Sequence, residues 1–459
     1  MDVSMKPKTD TKNQPVAHTN RALSRRRLKA FMERLKGQPE LLAQFESILE
    51  IASDGKPDAP LRSADEVEAL VIEATRKLGN STITQWAQSA QERAIEGCKD
   101  EHPKARLKKK STLSWFCTFG EIHIEESWLR TDEVHQLRPF SDCAKVSGRC
   151  KSARLQRAMC DFGAEHSFGT ANKRLKEHYG FELNASAMRS ATLKAAERAE
   201  EILTREYAKS FRELPTKGPE VILAEADGSM LPTVAPGLPR NAKRPRDWRE
   251  IRLVCAQPIG SVETKYAATF GSVQEVGKRW GHAAKEAGRG MNTRIHILCD
   301  GAEWLAIQAR EVFGSDGKFH TDYFHVSEYL SEAAATCAPE EPEAWRREQQ
   351  KLLKSGASQE VIRALKPHCE GAEVSEENAP VRAAHRYMSN RAESLDYASA
   401  IEAELPIGSG LIESSHKHVI QARLKLPGAC WLPEHLEPMA QLRVLRANDR
   451  WDQLWPLAA

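Results

Sequence analysis

The chain of 459 residues lacks any apolar run approaching the ~20 residues that a membrane-crossing helix needs, so no membrane partner is expected. Its first residues hold no apolar stretch of the kind that leads a secreted protein. The cytoplasm is the expected location, with chromosomal DNA within reach. Ten cysteines are present without a single C-x-x-C pair, and Cys143, Cys150 and Cys160 lack zinc-ribbon spacing. Buried, reduced thiols are expected, and no disulfides. No G-x-G-x-x-G follows the first strand of the α/β region, which counts against a dinucleotide-binding sheet. Large net charge is also missing. The formal value is only +3, so charge alone does not mark a nucleic-acid binder.

The distribution of charge says more. Met1–Ala30 carries eight Lys/Arg against two Asp, Lys104–Lys110 has five basic residues in seven, and Arg240–Arg252 has six basic and two acidic. Such clusters suit phosphate contacts, although each taken singly is equally a solvated tail or loop.

The pattern of residues divides the chain. Met1–Val16 is polar and reads as disordered. Helical periods follow at 24–36, 40–52, 63–78 and 82–97, with Ser63 and Glu66 spaced as a capping box. Residues 1–110 thus form a basic tail and helical region. Alternation over Ser114–Arg130 predicts a small β hairpin. Helices are predicted over Ala153–Glu165, from Ser167 to Tyr179 with Gly180 as the stop, and over Ala187–Leu203 capped by Asn184 or Ser186. The last three fit a helix-turn-helix, with a plain helical bundle as the alternative. The hairpin and these helices make up a region 111–215. If the third helix reads DNA, Arg189 and Lys194 are its candidate contacts.

From Pro219 strands and helices alternate. Strands are predicted at Val221–Ala226, Ile251–Pro258, Lys265–Phe270, Arg294–Cys299 and Lys318–Phe324, with a helix over Ala302–Val312 between the last two. The first three can form an antiparallel meander, and the last two, joined through a helix, should be parallel. The fold class expected is α/β, a ribonuclease-H-like mixed sheet. Its first part spans 216–330, a helical insertion spans 331–405, and 406–459 supplies a final helix from about Ser409 to Lys425 and a C-terminal helix.

Three acids stand out by position. Asp227 ends the first predicted strand, Asp300 ends the fourth, and Glu413 lies in the first turns of the helix opened by Gly408-Ser-Gly410. Sites in open α/β sheets gather at the carboxyl ends of strands. Clustered carboxylates repel one another unless hard cations neutralise them, and Mg²⁺ needs only a few oxygen ligands. Either aspartate alone is also a plausible turn residue or cap. Glu225, on the same strand face as Asp227, is a competing ligand.

Leu405-Pro-Ile-Gly-Ser-Gly-Leu-Ile-Glu413-Ser-Ser, followed by Gln421-Ala-Arg-Leu-Lys425 and Gly428-Ala-Cys-Trp431, resembles the third-acid motif of bacterial insertion-sequence DDE transposases. The likeness is closest to the Kra group, distant relatives of Mutator-like elements. Glu225-Ala-Asp-Gly228, Trp248-Arg-Glu250, Leu298-Cys-Asp-Gly-Ala302, Asp322-Tyr-Phe-His-Val-Ser-Glu-Tyr-Leu330 and the Asn448–Trp455 tail are similar too. The resemblance covers roughly Thr112 to the end. It implies metal-dependent hydrolysis and strand transfer at the element's ends, with Asp227, Asp300 and Glu413 holding Mg²⁺, for which Mn²⁺ can substitute. The implied partners are double-stranded DNA at the element ends and target, and a second copy of the chain, because two ends must be paired. Lys417, one turn beyond Glu413, and Arg423 and Lys425 would grip phosphates or simply solvate the helix. Asp322 and His325 form a D-x-x-H similar to the C-x-x-H of related eukaryotic transposases. Imidazole is poor company for Mg²⁺, so His325 is expected to act as a donor to the scissile phosphate or a proton carrier rather than a metal ligand. Otherwise Asp322 only caps a helix. Two other functions fit less well: a domesticated, non-catalytic DNA-binding regulator, and a ribonuclease-H-like nuclease without strand transfer.

Overall fold

The computed structural model describes residues 25–53, 61–237 and 245–455. The tail Met1–Val16 and parts of the basic runs in 1–30 and 240–252 lie outside them. The chain divides into two compact units, up to Ser152 and from Ala153 on, a boundary inside the stretch 111–215.

In the first unit, α1 (Arg25–Lys36) and α2 (Pro39–Ala52) precede the long helix α3 (Ala64–Glu101). The capping box forms as expected: Ser63 Oγ accepts from the Glu66 amide at 3.3 Å, and Glu66 Oε2 accepts from the Ser63 amide at 2.8 Å. The two helices expected at 63–78 and 82–97 are one. Asn80 would favour a break, but its side chain donates to the carbonyls of Phe119 (3.2 Å) and Glu121 (3.0 Å), which holds the helix through. The hairpin pairs β1 (Arg106–Cys117) with β2 (Gly120–Arg130), and β1 starts eight residues before the predicted Ser114. Leu113, Trp115, Ile122 and Ile124 close a small core with Ala87 and Phe140.

The second unit opens with α4 (Ala153–Glu165), α5 (Phe168–Tyr179) and α6 (Ala185–Tyr207). Ser167 and Asn184 cap α5 and α6, and Gly180 stops α5 with φ 74°, all as the sequence predicts. The sheet that follows contains β3 (Val221–Val234), β4 (Arg246–Pro258), β5 (Lys265–Thr269), β6 (Arg294–Cys299) and β7 (Gly317–Thr321) in the order β5-β4-β3-β6-β7. β4 pairs antiparallel with both β3 and β5, while β6 pairs parallel with β3 and with β7. The predicted topology is therefore present, with two changes of length. β3 and β4 run on together past the predicted ends, and β7 stops at Thr321 because the next residue, Asp322, caps a helix. Helix α7 (Val273–Glu286) has no counterpart in the sequence reading.

Side-chain alternation gives the sheet two faces. Ile222, Ala224, Ala226, Ile295, Ile297 and Cys299 point to one face and pack under α7 and α8 (Glu303–Phe313). Leu231, Leu253 and Cys255 face the other side, toward α6 and the last helices of the chain. After β7 come α9 (Tyr323–Cys337) and a helical insertion with its own core, built from Leu330, Leu353, Val361, Leu365 and Met388, the last from α10 (Pro380–Ser389).

The final helix is not continuous. Gly410–Ser415 (α11) is α-helical, His416–Gln421 is π-helical, and Ala422–Leu424 adds one last turn. Helix α12 (Leu436–Ala447) is buried along much of its length. Among the described residues no helix is long and apolar enough to cross a membrane.

Candidate active site

Period-two alternation assigns the acids to a face. Residues 222, 224 and 226 of β3 lie under α7 and α8, so Glu225 and Asp227 point to the opposite side. In β6 the residues 295, 297 and 299 lie under the same helices, so Asp300, the next residue, shares the side of Asp227. Asp227 does not end its strand as expected, since it pairs with Leu253 in mid-strand. What ends there is the parallel pairing: Glu225 opposite Leu298 is the last β3–β6 pair. Asp227 and Asp300 therefore flank the point where the two strands part, the crevice in which ligands of open α/β sheets bind.

Each aspartate is held at one oxygen. Asp227 Oδ1 accepts from the Gly228 amide at 2.7 Å, and Asp300 Oδ1 accepts from the Ala302 amide at 2.9 Å. Burial raises the pKa of Asp227 above the usual aspartate range, and the negative charge of Asp300 adds to the rise. His416, the Gly228 amide and His325 oppose it. A half-buried carboxylate facing a second one is a charge that a cation would relieve.

The turn after β6 is braced from the insertion. Tyr387 of α10 donates its hydroxyl to the Asp300 carbonyl, and Arg391 Nε donates to the Gly301 carbonyl at 2.6 Å. Gly301 has φ +81°, and a Cβ there would meet the Arg391 side chain at 2.6 Å, so glycine is required on both counts. The sequence shows no sign of Tyr387 or Arg391, because the bracing is purely tertiary.

Glu413 lies in α11, and among the described residues it has neither an ion pair nor a side-chain hydrogen bond. Two buried carboxyls fix the helix that carries it. Glu225, fully buried, accepts from the Ile412 amide at 2.6 Å, while its other oxygen has no partner. Burial pushes the Glu225 pKa up to about 8, helped by the charges of Asp322 and Glu413 and opposed by the Ile412 amide, so the group is mostly protonated at pH 7. Asp322, 1% exposed, caps α9 by accepting from the amides of Phe324 (2.5 Å) and His325 (3.3 Å). Its second oxygen accepts from the Ser409 amide at 2.8 Å and from the Ser409 hydroxyl. Asp322 thus ties the start of α9 to the start of α11. At Gly408 a Cβ would collide with the Phe324 ring, whereas at Gly410 it would meet open space.

His325 sits in the first turn of α9, 42% exposed, with Nδ1 3.5 Å from Glu328 Oε2. Ligand atoms of Asp322, His325 and Glu413 lie within 4.8 Å of one another, close enough to hold a metal ion. The acceptor capacity of Asp322 is already taken by four donors, however, so its role in this group is to anchor. Asp227 and Asp300 fall outside this close group; among the described residues each keeps one carboxylate oxygen without a hydrogen bond and Glu413 keeps both, and free carboxylate oxygens are the donors that suit Mg²⁺ or Mn²⁺. His325 borders them.

His416, three residues beyond Glu413 and 2% exposed, was not singled out by the sequence. Its Nε2–H donates to the Asp227 carbonyl at 3.1 Å, Nε2 is 3.8 Å from Asp227 Oδ2, and Nδ1 is buried without a partner. Burial lowers its pKa, more than the Asp227 contacts raise it, and Lys425 lowers it further. The neutral ring positions Asp227. The i, i+3 spacing from Glu413 was the available signal.

The basic residues separate. Lys417 and Lys425 are exposed. Arg423 is not a surface cation: it is 2% exposed, lies between the Phe168 and Trp431 rings at 4.7 and 4.8 Å, and donates to the Gly163 carbonyl at 2.8 Å. Arg189 and Lys194 are exposed on α6, Arg189 meeting His435 at 2.7 Å, while Ala195, Ala196, Ala199 and Leu203 of the same helix are core.

Residues 285–452 match the model of an uncharacterised protein family (UPF0236). The matched region includes Asp300, His325 and Glu413 and leaves out Asp227. No curated protein matches the chain. Among solved structures, the Drosophila P element transposase strand transfer complex is similar at 11% identity, over 66% of this chain and 79% of that one, with a TM-score of 0.26. NurA is similar at 13% identity, over 59% and 64%, with a TM-score of 0.11. Likenesses at these scores are too slight to rest the site upon, so its reading stands on the geometry.

Proposed function

We propose that this chain is a bacterial insertion-sequence transposase of the DDE type, of the Kra group, whose catalytic core is a ribonuclease-H-like sheet. The observation that carries the reading is the placement of Asp227, Asp300 and Glu413. The two aspartates share one sheet face where β3 and β6 part, and the glutamate is delivered by a helix pinned to that sheet through Glu225 and Asp322. The strand order β5-β4-β3-β6-β7, an antiparallel meander extended by two parallel strands, supports a ribonuclease-H-like core.

Asp227, Asp300 and Glu413 would hold Mg²⁺ or Mn²⁺, which supplies charge relief on the phosphoryl oxygens and an activated hydroxyl. The chain's own groups do the rest. His416 and the Gly228 amide orient Asp227. Tyr387 and Arg391 fix the turn that presents Asp300. His325, on the rim, donates to the scissile phosphate or carries a proton to the leaving 3′-oxygen. Lys417 and Lys425 contact phosphates along the approach, and Arg189 and Lys194 of α6 contact DNA farther out. The substrate is double-stranded DNA at the element's ends and then the target, in the cytoplasm, with two copies of the chain pairing two ends.

The test is incubation of the full chain with duplex DNA carrying the inverted repeats that flank its gene, in Mg²⁺. Nicking at the repeat ends and joining of the freed 3′-ends to a second duplex are expected. Asp227→Asn, Asp300→Asn and Glu413→Gln should each abolish both steps while leaving DNA binding nearly intact. Nicking without joining would reduce the protein to a nuclease, and DNA binding without either step to a regulator.

A further inference from the structure

The hairpin of the first unit changes character along its length. From Leu113 to the turn, β1 alternates buried and half-exposed residues over its core, and β2 alternates buried and exposed ones from Gly120 to Glu126. Arg106, Leu107, Lys108, Lys109 and Lys110 are instead all exposed, with Leu107 at 56%. On β2 opposite them Leu129 is 2% exposed and pairs with Leu137, so the charged stretch of β1 is the outer edge of a ribbon held from its other side. This edge is loaded with like charge.

Arg106 stands directly opposite Arg130 in the register. Side chains in that relation lie roughly 5 Å apart at Cβ, and like charges there destabilise the pair. A bulge at Lys108 interrupts the register between Leu107 and Lys109. Lys108 donates to the His135 carbonyl at 3.2 Å, and Lys109 lies 3.8 Å from the centre of the Trp128 ring opposite it. Lys110 alone is neutralised, by Glu125 at 2.7 Å. Lys104, Arg106, Lys108, Lys109 and Arg130 have no carboxylate partner among the described residues. Asp132 and Glu133, which follow β2, make no ion pair with the ribbon there.

The base of the ribbon is rigid. Glu126 is fully buried and accepts from Arg138 (2.7 and 3.1 Å) and from Ser141 N (3.1 Å) and Oγ (2.5 Å). Arg138 also lies 4.9 Å from the Trp128 ring centre. A fixed ribbon with concentrated, unneutralised cations calls for a polyanion. The major groove of duplex DNA admits a two-stranded β-ribbon, with phosphates along both walls.

We infer that the β1–β2 ribbon, with Lys104 just before it, is a DNA-gripping arm in which Lys104, Arg106, Lys108 and Arg130 contact backbone phosphates. The partner class rests on the reading of the chain as a DNA-processing enzyme, and the placement of the arm rests on the ribbon itself.

The experiment uses the full chain carrying Asp300→Asn, so that nothing is cut, and a random-sequence duplex of about 40 base pairs. The affinity is followed across a salt series. Each phosphate contact contributes about 0.9 to the slope of log K against log salt. Changing Lys104, Arg106, Lys108 and Arg130 together to Gln should lower that slope by about 2–4 and weaken binding at least about tenfold at 0.1 M salt. All four side chains are exposed, so the thermal midpoint should hold. A second variant, changing Lys209, Lys278, Arg347 and Arg386 to Gln, removes the same charge elsewhere and should leave the slope in place. An unchanged slope in the ribbon variant, or equal losses in both, overturns the inference. Ribbon-dependent binding by a wild-type chain that never cuts DNA would sustain the arm and sink the transposase.

Discussion

Asp322 offers the sharpest way to separate an anchor from a metal ligand. Asp322→Ala removes the α9 cap, worth about 1 kcal/mol in the usual case. It also strands the buried Ser409 amide and hydroxyl, at about 1–3 kcal/mol each. The expected loss of stability is therefore about 3–7 kcal/mol, a large share of the ~5–15 kcal/mol that holds a typical domain. Asp322→Asn is milder. Its amide oxygen can still cap α9, and the Ser409 hydroxyl can turn to accept, so only the Ser409 amide is orphaned, at about 1–3 kcal/mol. Urea unfolding of the metal-free full chain measures both. Ser409 lies four residues before Glu413, so a slackened tie should also displace Glu413, and a misplacement of about 1 Å can cost about 10²-fold in rate. That loss should be the same in Mg²⁺ and Mn²⁺. Stability within about 1 kcal/mol of wild type for Asp322→Ala, or an Asp322→Asn rate defect repaired by Mn²⁺, would refute the reasoning and make Asp322 a ligand.

The other expectations are shorter. Glu225, with a folded pKa of about 8 against an ordinary glutamate value near 4.5, binds its proton more tightly in the folded state. Its contribution to stability is complete below pH 4.5 and declines, by at most about 1.4 kcal/mol per pH unit, up to about pH 8. Glu225→Gln, which keeps an acceptor for the Ile412 amide, should remove that decline from metal-free unfolding curves, and a persisting slope would assign it to another group. Arg423→Ala should cost about 3 kcal/mol in urea unfolding, from lost packing and an orphaned Gly163 carbonyl, and leave the salt dependence of DNA binding alone; the opposite result would return Arg423 to the DNA. His325→Ala, at a 42% exposed position, should slow cleavage by about 10²–10⁴-fold with stability and metal requirement unchanged, whereas a near-normal rate would make it scaffold.

The sequence made the sheet legible because its strands announce themselves by apolar alternation; Asp300 follows its strand as read, whereas Asp227, read as a strand end, stands in mid-strand. Val221–Ala226 and Arg294–Cys299 are short apolar runs, and the antiparallel-then-parallel order follows from which of them are joined through a helix. It was less legible where tertiary contacts decide. Asn80 reads as a break in a helix until the hairpin carbonyls it serves are in place. The π-helical turn at His416–Gln421 has no local signature, and an extra residue there rotates everything beyond it by roughly 100° relative to a straight helix. Arg423, a surface position by pattern, is turned into the core. Lys417 and Lys425 stay outside. The role of Glu225 was visible only as an ambiguity, a second acid on the face of Asp227, since no sequence shows that the Ile412 amide will meet it. The braces Tyr387 and Arg391 come from an insertion whose own helices were foreseen, but whose contact with Asp300 spans nearly ninety residues of chain.

The central claim is that Asp227, Asp300 and Glu413 hold one cationic site. It is tested most directly by changing the softness of a ligand in place. Thiolate is a poor ligand for Mg²⁺ and a better one for Mn²⁺. Asp227→Cys and Asp300→Cys, assayed for cleavage of end-bearing DNA in each metal, should be inactive in Mg²⁺ and recover measurable cleavage in Mn²⁺, while Asp→Ala at the same positions stays inactive in both. Equal loss in both metals for folded, DNA-binding Cys variants, or ready cleavage by either in Mg²⁺, would contradict the account.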